Sequence, residues 1–411
     1  MNIRRPVHPG KQPPEAGVAR VAGTNDTIVR FHAGMDEIVP DSWNALVDPR
    51  YPFLRHEFLA AAERHDCVSP ETGWTPCHAA LYRHDELLAA LPLYEKTHSW
   101  GEFIFDWSWA DAYRRAGLDY YPKLVSAVPF TPATGHRLLV RDEADRSRSG
   151  RALLQAVAAH ADAHGFSSAH VLFPTPAELP ALEASGFVLR KDCQFQWRNR
   201  GYENFDDFLS DFSSAKRKKA RRERRRVAEA GIRFRNLASD ELDNGEWSRV
   251  FRLCSYTFIR RGNLPYLSLE FFLELRETIP RSLRVIVAEH EGEIIAAAIF
   301  FRGHDTLYGR YWGSEDDYHS LHFETCYYQG IDYCIAEGIS LFEPGTQGEH
   351  KIRRGFLPTV TWSAHRMADP RFAEAIRRYL DEEGRHVDDY VRAAGSHSPF
   401  RSDLGETPDA P

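Results

Sequence analysis

A segment near the end of the chain gathers side chains that bind anions and exchange protons. Residues 342–356 read FEPGTQGEHKIRRGF. Four of their side chains are candidates for catalysis: Glu343, Glu349, His350 and Lys351. Gly345 and Gly348 leave the backbone free to turn directly after a predicted strand, which is where α/β folds place their ligands. The segment therefore predicts a ligand site that offers both carboxylates and cations.

A surface interpretation of the same residues stays open. Exposed lysine–glutamate pairs are common and weak, so Lys351 is also typical of a surface ion pair. The sequence shows no second group that would orient the imidazole of His350. If the segment is a site, Gln347 and Arg354 are its candidates for contact with a substrate.

A basic segment further upstream is a second candidate. Nine of the eleven residues from 216 to 226 are lysine or arginine. Apolar residues at helical spacing before and within it predict one helix or two short ones, ended by Gly231. Like charges four residues apart destabilise such a helix, and an anionic partner would remove that cost. Because charge runs are usually solvated, a plain surface helix is the alternative.

Two aromatic segments offer further binding candidates. Residues 101–124 interleave aromatic and charged side chains, and this long loop either packs on its domain or lines a cleft. The cleft interpretation makes three of its residues substrate contacts: Asp106, Trp107 and Asp111. Residues 308–313, YGRYWG, form a predicted strand that is typical of a core. In the alternative, every second residue faces a cleft, and Arg310 contacts the substrate.

The composition limits the classes of protein to consider. With 411 residues, of which 43% are hydrophobic, the chain can bury two cores of ordinary size. A formal net charge of -7 argues against a surface built throughout to hold nucleic acid, so we expect no DNA partner. The six cysteines show no CxxC pair and no metal-ligand spacing, which predicts reduced thiols and no metal. No apolar run resembles a signal peptide or a transmembrane segment, so we expect a cytoplasmic protein.

The elements that position these candidates form an internal repeat. Two predicted hairpins, residues 77–96 and 284–303, each place a short polar turn between apolar strands. A helix, a strand that ends at Pro174 or Pro344, and a Gly-Phe pair follow each hairpin. The first copy carries extra residues between hairpin and helix, and these include the aromatic loop. Alternating strands and helices predict an α/β fold with mixed sheets.

The repeat predicts two domains, residues 27–200 and residues 201–393. The basic segment begins the second of them. The two ends of the chain, residues 1–26 and 394–411, lack hydrophobic periodicity, and we predict that both are disordered tails.

The order of elements and several long motifs together resemble a known family. A hairpin, helix, strand and glycine-containing return follow one another in the GNAT acyltransferase fold, and the duplication resembles tandem FemABX-type proteins. Five motifs carry the resemblance to the FemAB-like family of peptidoglycan biosynthesis or recognition proteins: FDWSWADAYRRAG, AVPFTPATG, SSAKRKKARRERRR, YGRYWG and FEPGTQGEHKIRRGF. The resemblance covers residues 40–392 and implies two tandem GNAT-like acyltransferase domains.

The resemblance also implies roles for the candidate residues. Lys351 matches a family lysine that lies shortly before a glycine–aromatic pair, and its ammonium would stabilise the oxyanion of aminolysis. A carboxylate or the imidazole beside it would accept the proton of the attacking amine. The basic helix would line a groove for a phosphate-bearing substrate, and a diphosphate or an RNA backbone would fit it equally well. Four of its residues would make the contacts: Lys216, Arg217, Arg221 and Arg224.

The acyl donor stays open between aminoacyl-tRNA and acyl-CoA. GNAT enzymes hold the pyrophosphate of coenzyme A on a Gln/Arg-x-x-Gly-x-Gly/Ala loop at a helix start. Residues 147–152, SRSGRA, keep Gly150 and Ala152 but begin with serine, so they are a weak candidate for a coenzyme site. The FemABX-type proteins lack the intact loop and use aminoacyl-tRNA. In both cases we expect no tightly bound cofactor.

The function expected from these observations is amide formation on an amine of a phosphate-bearing small molecule, such as a precursor of the cell envelope. Positioning and oxyanion stabilisation suffice for that reaction. Two alternatives stay open. One is an acetyl-CoA-dependent N-acetyltransferase, and the other is a non-catalytic module that binds an envelope glycan or RNA.

Overall fold

The computed structural model describes residues 18–20, 27–316, 318–346 and 348–401. Strands and helices alternate along them, which confirms the predicted α/β class. The strands of the first half of the chain, up to residue 200, are β1 Val18–Arg20, β2 Thr27–His32, β3 Trp74–Pro76, β4 His78–Arg83, β5 Glu86–Leu91, β6 Tyr94–Lys96, β7 Lys123–Ser126, β8 Leu139–Val140, β9 Ser168–Leu172 and β10 Val188–Arg198. Those of the second half are β11 Arg233–Ala238, β12 Leu283–His290, β13 Glu293–Arg302, β14 Thr306–Ser314, β15 Leu341–Glu343 and β16 Leu357–Met367.

The helices cover the sheets and carry the connections. Those of the first half are α1 Pro40–Asn44, α2 His56–Arg64, α3 Trp107–Arg115, α4 Arg146–His164 and α5 Leu179–Ala184. Those of the second half are α6 Phe205–Ser210, α7 Ser214–Glu229, α8 Asn244–Ile259, α9 Leu269–Thr278, α10 Leu321–Phe323, α11 Gln329–Ala336 and α12 Pro370–Gly395. A π-helical turn, Glu324–Tyr328, joins α10 to α11, and a 3-10 helix spans Glu349–Arg354.

The repeated hairpins form where they are predicted. A two-residue turn at His84 and Asp85 joins β4 to β5, and the turn at Glu291 and Gly292 joins β12 to β13. His84 and Glu291 have φ angles of 56° and 50°, which suit the twist of a tight hairpin. Helix α4 with strand β9, and helix α11 with strand β15, follow in the predicted order.

The strands of the described residues form two sheets. The smaller has the order β1-β2-β4-β5-β8, and the larger has the order β11-β12-β13-β14-β15-β10-β16-β9-β7-β6-β3. Neighbours are antiparallel except at β7–β9 and β14–β15, which are parallel. The mixed sheets are therefore confirmed, and one of them runs through both halves of the chain.

The last strand of each half pairs with strands of the other half. Strand β10 lies between β15 and β16, which both belong to the second half. Strand β16 lies between β10 and β9, which both belong to the first half. The β10–β16 ladder runs from the pair Val188 and His365 to the pair Gln196 and Leu357. Each half therefore completes its sheet with the other half's last strand, and the division at residues 200 and 201 stays a prediction.

Apolar packing also joins the two halves. The ring of Phe53 lies 5.0 Å from that of Phe301, and the ring of Phe58 lies 5.2 Å from that of Phe271. These rings belong to one buried cluster with members from both halves. Burial of apolar area is the main stabilising contribution to folding, so the halves stabilise one another.

The end of the chain departs from the prediction of a tail that begins at residue 394. Helix α12 continues to Gly395, and residues 396–401 return to the start of the second half. There the carbonyl of Pro399 accepts a hydrogen bond from the Ser213 amide, and Phe400 packs on Phe212. A partly buried aromatic anchor outside the helical period explains why the prediction was wrong for these residues. The predicted tails 1–26 and 402–411 lie outside the described residues, except for β1.

We expect that residues 27–200 and residues 201–401, expressed separately, do not fold. Each fragment lacks both neighbours of its own last strand, and unpaired backbone groups at a sheet edge favour aggregation. Co-expression should instead yield a one-to-one complex with the circular dichroism spectrum of the intact chain. A single fragment that elutes as a monomer and melts cooperatively would contradict this expectation.

Candidate active site

The two parallel strands β14 and β15 separate close to the middle of the large sheet. Their last pair is Tyr308 with Glu343, after which β15 ends while β14 continues beside β13. At this point the backbone of Pro344 approaches Gly309 so closely that a Cβ on Gly309 would lie 3.3 Å from the Pro344 Cα. The pairing of β13 with β14 shifts register at the same place, next to Gly309. We call this point, where β15 ends beside β14, the cleft, because α/β folds bind ligands at the carboxyl ends of strands where neighbouring strands part.

Glu343 lies at the base of this cleft. Only 4% of the residue is exposed, and its Oε1 accepts a 3.0 Å hydrogen bond from Gln196 Nε2 on β10. Its Oε2 has no hydrogen-bond partner among the described residues. Burial raises the pKa of Glu343 to about 7, although the charges of Arg310 and Arg137 oppose the shift. The carboxyl group can therefore release and accept a proton near neutral pH.

Arg310, on β14, is a neighbour of Glu343, which ends the adjacent strand β15. Its Nη1 donates a 2.8 Å hydrogen bond to the carbonyl of Gly309, and its guanidinium lies 5.0 Å from the ring centre of Phe53. Its buried Nε and Nη2 have no partner within the described ranges. Burial lowers the pKa of Arg310, and the nearby Glu343 carboxylate opposes that shift. Buried polar atoms without partners are rare in folded proteins, so these two nitrogens are candidates for contact with a ligand.

Lys351 is also buried, with 2% of its surface exposed, and the charge of Arg310 acts on it. Its Nζ donates a 2.7 Å hydrogen bond to the carbonyl of Gly345. Burial lowers the pKa of Lys351 to about 7. The nearby Cys326 opposes this shift, and the charge of Arg310 adds a smaller lowering effect. The interpretation of Lys351 as a surface ion pair is therefore wrong.

The loop that carries Lys351 depends on two glycines. Gly345 and Gly348 have φ angles of 96° and 118°, which are costly for residues with a side chain. A Cβ on Gly348 would also lie 2.3 Å from the ring of His350. These glycines let the chain leave β15, turn, and enter the 3-10 helix on which Lys351 lies.

The remaining candidates of the same segment lie nearer the surface. The Nε2 of His350 lies 2.9 Å from the Tyr327 hydroxyl, and burial lowers the pKa of the imidazole, as do the charges of Lys351 and Arg354. Glu349 is exposed and accepts a hydrogen bond from the Tyr390 hydroxyl. Gln347 lies outside the described residues. Of the four catalytic candidates, only Lys351 and Glu343 are buried.

The basic helix α7 docks against this segment. Its Glu223 and Arg354 form a buried ion pair with a 2.9 Å separation. The sequence predicted one helix or two short ones, and the structure has two, the short α6 and the 16-residue α7. Gly231 follows the second with a φ angle of 75°. The basic segment and the glycine-containing loop are therefore neighbours.

The basic side chains of α7 differ in how they are occupied. Arg221 pairs with Asp206 at 2.8 Å, and Arg224 pairs with both Glu324 and Asp332. These two predicted phosphate contacts are thus already neutralised, because acidic residues outside the basic run reach them. The other two, Lys216 and Arg217, are half-buried and have no carboxylate partner in the part of the chain that the structure describes.

The aromatic loop packs against the protein instead of joining the cleft. Asp106 is buried against Lys123, whose Nζ lies 2.5 Å from its Oδ2. Burial opposes ionisation of Asp106, but the charges of Lys123 and His170, together with hydrogen bonds from Lys123 and Ser99, outweigh it and lower the pKa of the carboxyl. Trp107 and Asp111 are exposed on α3, where Asp111 pairs with Arg114. No described hydrogen bond or ion pair joins these predicted contacts to residues 343–356, and the packing interpretation of the loop fits the structure.

Residues 147–152, the candidate coenzyme segment, form part of a helix and not a loop. Gly150 and Ala152 lie inside α4, which begins at Arg146. A Cβ on Gly150 would lie 3.1 Å from Leu138, so this glycine serves close packing. Amides within a helix already donate to backbone carbonyls, and they have no free N–H group to offer a phosphate.

Three further observations concern the chemistry available to the described residues. They contain no group of three or more His, Cys, Asp or Glu side chains that would hold a metal ion. All six cysteines are free thiols, and four of them are buried. None of the described helices combines the length and the apolar character needed to cross a bilayer.

The structure adds residues that the sequence analysis missed. Gln196 reaches Glu343 from the exchanged strand β10, and long-range pairing of this kind leaves no local signal. Glu223, in contrast, carried a signal in the local sequence. It is the sole acidic residue from 216 to 226, and it lies on the same helical face as Ala220 and Val227, which are buried. An acidic residue on an apolar stripe requires a buried partner.

Comparison with known proteins identifies similar sequences and folds. The family described as FemAB-like, peptidoglycan biosynthesis/recognition, matches residues 34–402. A search of curated protein sequences returned no match.

Three solved structures resemble the chain. FemX is similar with a TM-score of 0.50 and 12% identity, over 84% of this chain and 99% of FemX. L-PGS from Bacillus licheniformis is similar with a TM-score of 0.48 and 13% identity, over 81% of this chain and 97% of the L-PGS chain. A tandem GNAT protein from the clavulanic acid biosynthesis pathway is similar with a TM-score of 0.43 and 13% identity, over 84% of this chain and 99% of that protein's chain. The similarity to FemX shows that the chain shares the fold of that protein.

We expect Lys351→Met to stabilise the protein. It removes a buried ammonium but keeps a side chain of similar length, so the free energy of unfolding at pH 7 should rise by about 1–3 kcal/mol. Because the pKa of Lys351 is about 7 in the folded chain and that of an exposed lysine is about 10.4, the cost is complete below pH 7. The gain should therefore shrink as the pH rises from about 7 to about 10.

Urea denaturation across this pH range measures the effect. Lys218→Met is the matched control, because Lys218 is exposed on α7 and its substitution removes no buried charge. Equal unfolding free energies for both variants at pH 7 would show that the Lys351 ammonium is not buried at a cost.

Proposed function

The chain belongs to the FemAB-like family of peptidoglycan biosynthesis and recognition proteins and has the tandem acyltransferase fold, and we propose that it transfers an acyl or aminoacyl group to an amine. The acceptor in this proposal is a phosphate-bearing small molecule, such as a precursor of the cell envelope. The reaction takes place in the cleft between β14 and β15.

One observation carries the proposal. Glu343 and Lys351, two buried groups of opposite type, both have pKa values of about 7, and the charge of Arg310 acts on both. A structural ion pair would favour the charged forms of both partners instead. Perturbed pKa values that cluster in a cleft are typical of functional sites.

The residues of the cleft support a direct transfer. The amine nitrogen attacks the acyl carbon and forms a C–N bond, and the carbonyl oxygen becomes an oxyanion. The Lys351 ammonium and the free guanidinium nitrogens of Arg310 stabilise that negative charge. The Glu343 carboxylate accepts the proton of the attacking amine, and the C–O or C–S bond to the donor's carrier then breaks. The carrier leaves with the electron pair of that bond.

Two donors fit this chemistry. An aminoacyl-tRNA presents an ester and an acyl-CoA presents a thioester, and both carry phosphates that a basic surface attracts. Gly150 and Ala152, the two residues that match the coenzyme motif, lie beyond the first four residues of α4, so their amides are not free for a pyrophosphate, which favours the aminoacyl donor. An acetyl-CoA-dependent N-acetyltransferase remains the second candidate function for the same cleft.

A mass-spectrometric assay of amide formation tests the proposal. Purified protein is incubated with charged tRNA or with acetyl-CoA, and with an amine that carries a phosphate. Turnover with the wild type and loss of turnover in Lys351→Met, with donor binding retained, are the expected results. A Lys351→Met variant that keeps full turnover would leave the cleft without its proposed role.

We expect a bell-shaped pH dependence of kcat/KM with its maximum near pH 7. The rising limb follows deprotonation of Glu343, and the falling limb follows deprotonation of Lys351, because each pKa is about 7. Lys351→Arg keeps the positive charge at all accessible pH values, so the falling limb should disappear. A falling limb that persists in this variant would assign it to another group.

We also expect Lys216 and Arg217 to bind the phosphate-bearing partner. Replacing both by alanine should weaken binding of a short RNA by about tenfold and lower the salt dependence by about two phosphate contacts. Arg221→Ala is the control, because Asp206 already neutralises that side chain. Filter binding at several salt concentrations measures both quantities, and an equal loss in the control would contradict the assignment.

A further inference from the structure

Glu223 stands apart from the rest of the basic helix. It is 6% exposed, while the basic residues around it are exposed or half-buried. The position faces the core together with Ala220 and Val227, so its carboxylate points toward the body of the second half. A carboxylate buried in this way is stable only with strong partners.

The partners of Glu223 lie on the 3-10 helix that carries Lys351, on the π-helical turn and on α7 itself. Arg354 Nη2 donates to both carboxylate oxygens, at 3.0 and 2.9 Å. The Tyr328 hydroxyl donates to Oε2 at 2.6 Å, and the Lys219 ammonium lies 3.9 Å from Oε1. Three elements that are distant in sequence therefore meet at one side chain.

Arg354 connects this junction to Lys351. Its Nη1 donates a 2.7 Å hydrogen bond to the carbonyl of His350, the residue directly before Lys351. Its guanidinium also lies 3.3 Å from the ring centre of Phe323. The arginine thus ties the first and last turns of the 3-10 helix together from one side, while Glu223 holds the guanidinium in place.

We propose that Glu223 is a positioning residue that holds Lys351 in the cleft through Arg354. Loss of its charge leaves the Arg354 guanidinium buried without a counter-charge, which costs enough to expel it toward water. The hydrogen bond to the His350 carbonyl is then lost, and the helix that carries Lys351 is released. The inference rests on the proposed function only for the catalytic role of Lys351.

The test measures the protonation of Lys351 directly. Full-length protein is labelled with trace acetic anhydride over a range of pH, and mass spectrometry gives the midpoint for Lys351. In Glu223→Gln we expect the midpoint to rise from about 7 toward the value of an exposed lysine, about 10.4, because Lys351 becomes solvated. Once turnover is assayed, kcat should fall by about 10–100-fold with little change in KM.

A matched control separates positioning from general stability. Arg224→Met removes the other partly buried ion pairs of the same helix, those with Glu324 and Asp332, but keeps Glu223 and Arg354. It should lower the melting temperature and leave the Lys351 midpoint near 7. If Glu223→Gln does not fold, Glu223→Asp provides the measurement, with a smaller rise expected.

The outcomes are distinguishable from failure of the proposed function. A midpoint that stays near 7 in folded Glu223→Gln or Glu223→Asp overturns the positioning role, whether or not the protein has transferase activity. A rise in Arg224→Met as large as in Glu223→Gln overturns it as well, because general loosening of α7 would then suffice. A raised midpoint in the Glu223 variants alone supports the role even if no donor is ever turned over.

Discussion

Hydrogen bonding between the exchanged last strands is the constraint on which the rest of the molecule depends. Because β10 lies between β15 and β16, the sheet is continuous across both halves and neither half closes alone. The exchange also places Gln196 of the first half beside Glu343 of the second. The cleft is therefore built by both halves, although Glu343, Arg310 and Lys351 all lie in the second.

Much of the fold follows from local patterns in the sequence. The hairpins at His84 and Glu291 and the long helix α4 were predicted because their apolar residues recur with the period of one element. The exchange of β10 and β16 was not predicted, since their pairing joins residues far apart in the chain and a strand's own sequence does not specify its partner. The anchored end at Phe400 was missed for a similar reason, because one aromatic residue makes no period.

The site divides along the same line. Residue types and glycine spacing predicted the segment that carries Glu343 and Lys351, and the structure buries both. Their burial was not predicted, because it depends on strands and on a helix that lie elsewhere in the sequence. Arg221 and Arg224 were assigned to a ligand, yet Asp206, Glu324 and Asp332 already occupy them. Charge density indicated where cations are needed but not which of them remain available.

The exchanged strands have a consequence for synthesis on the ribosome. Strand β9 emerges early, but its neighbour β16 is among the last strands to be translated. Until then the nascent first half exposes an open edge next to an apolar core, a state that invites wrong pairing with other chains. Strand β10 faces the same delay, since both of its neighbours come later. Cells that make this protein thus have reason to shield a long-lived intermediate, and a chaperone that binds extended apolar segments would do so.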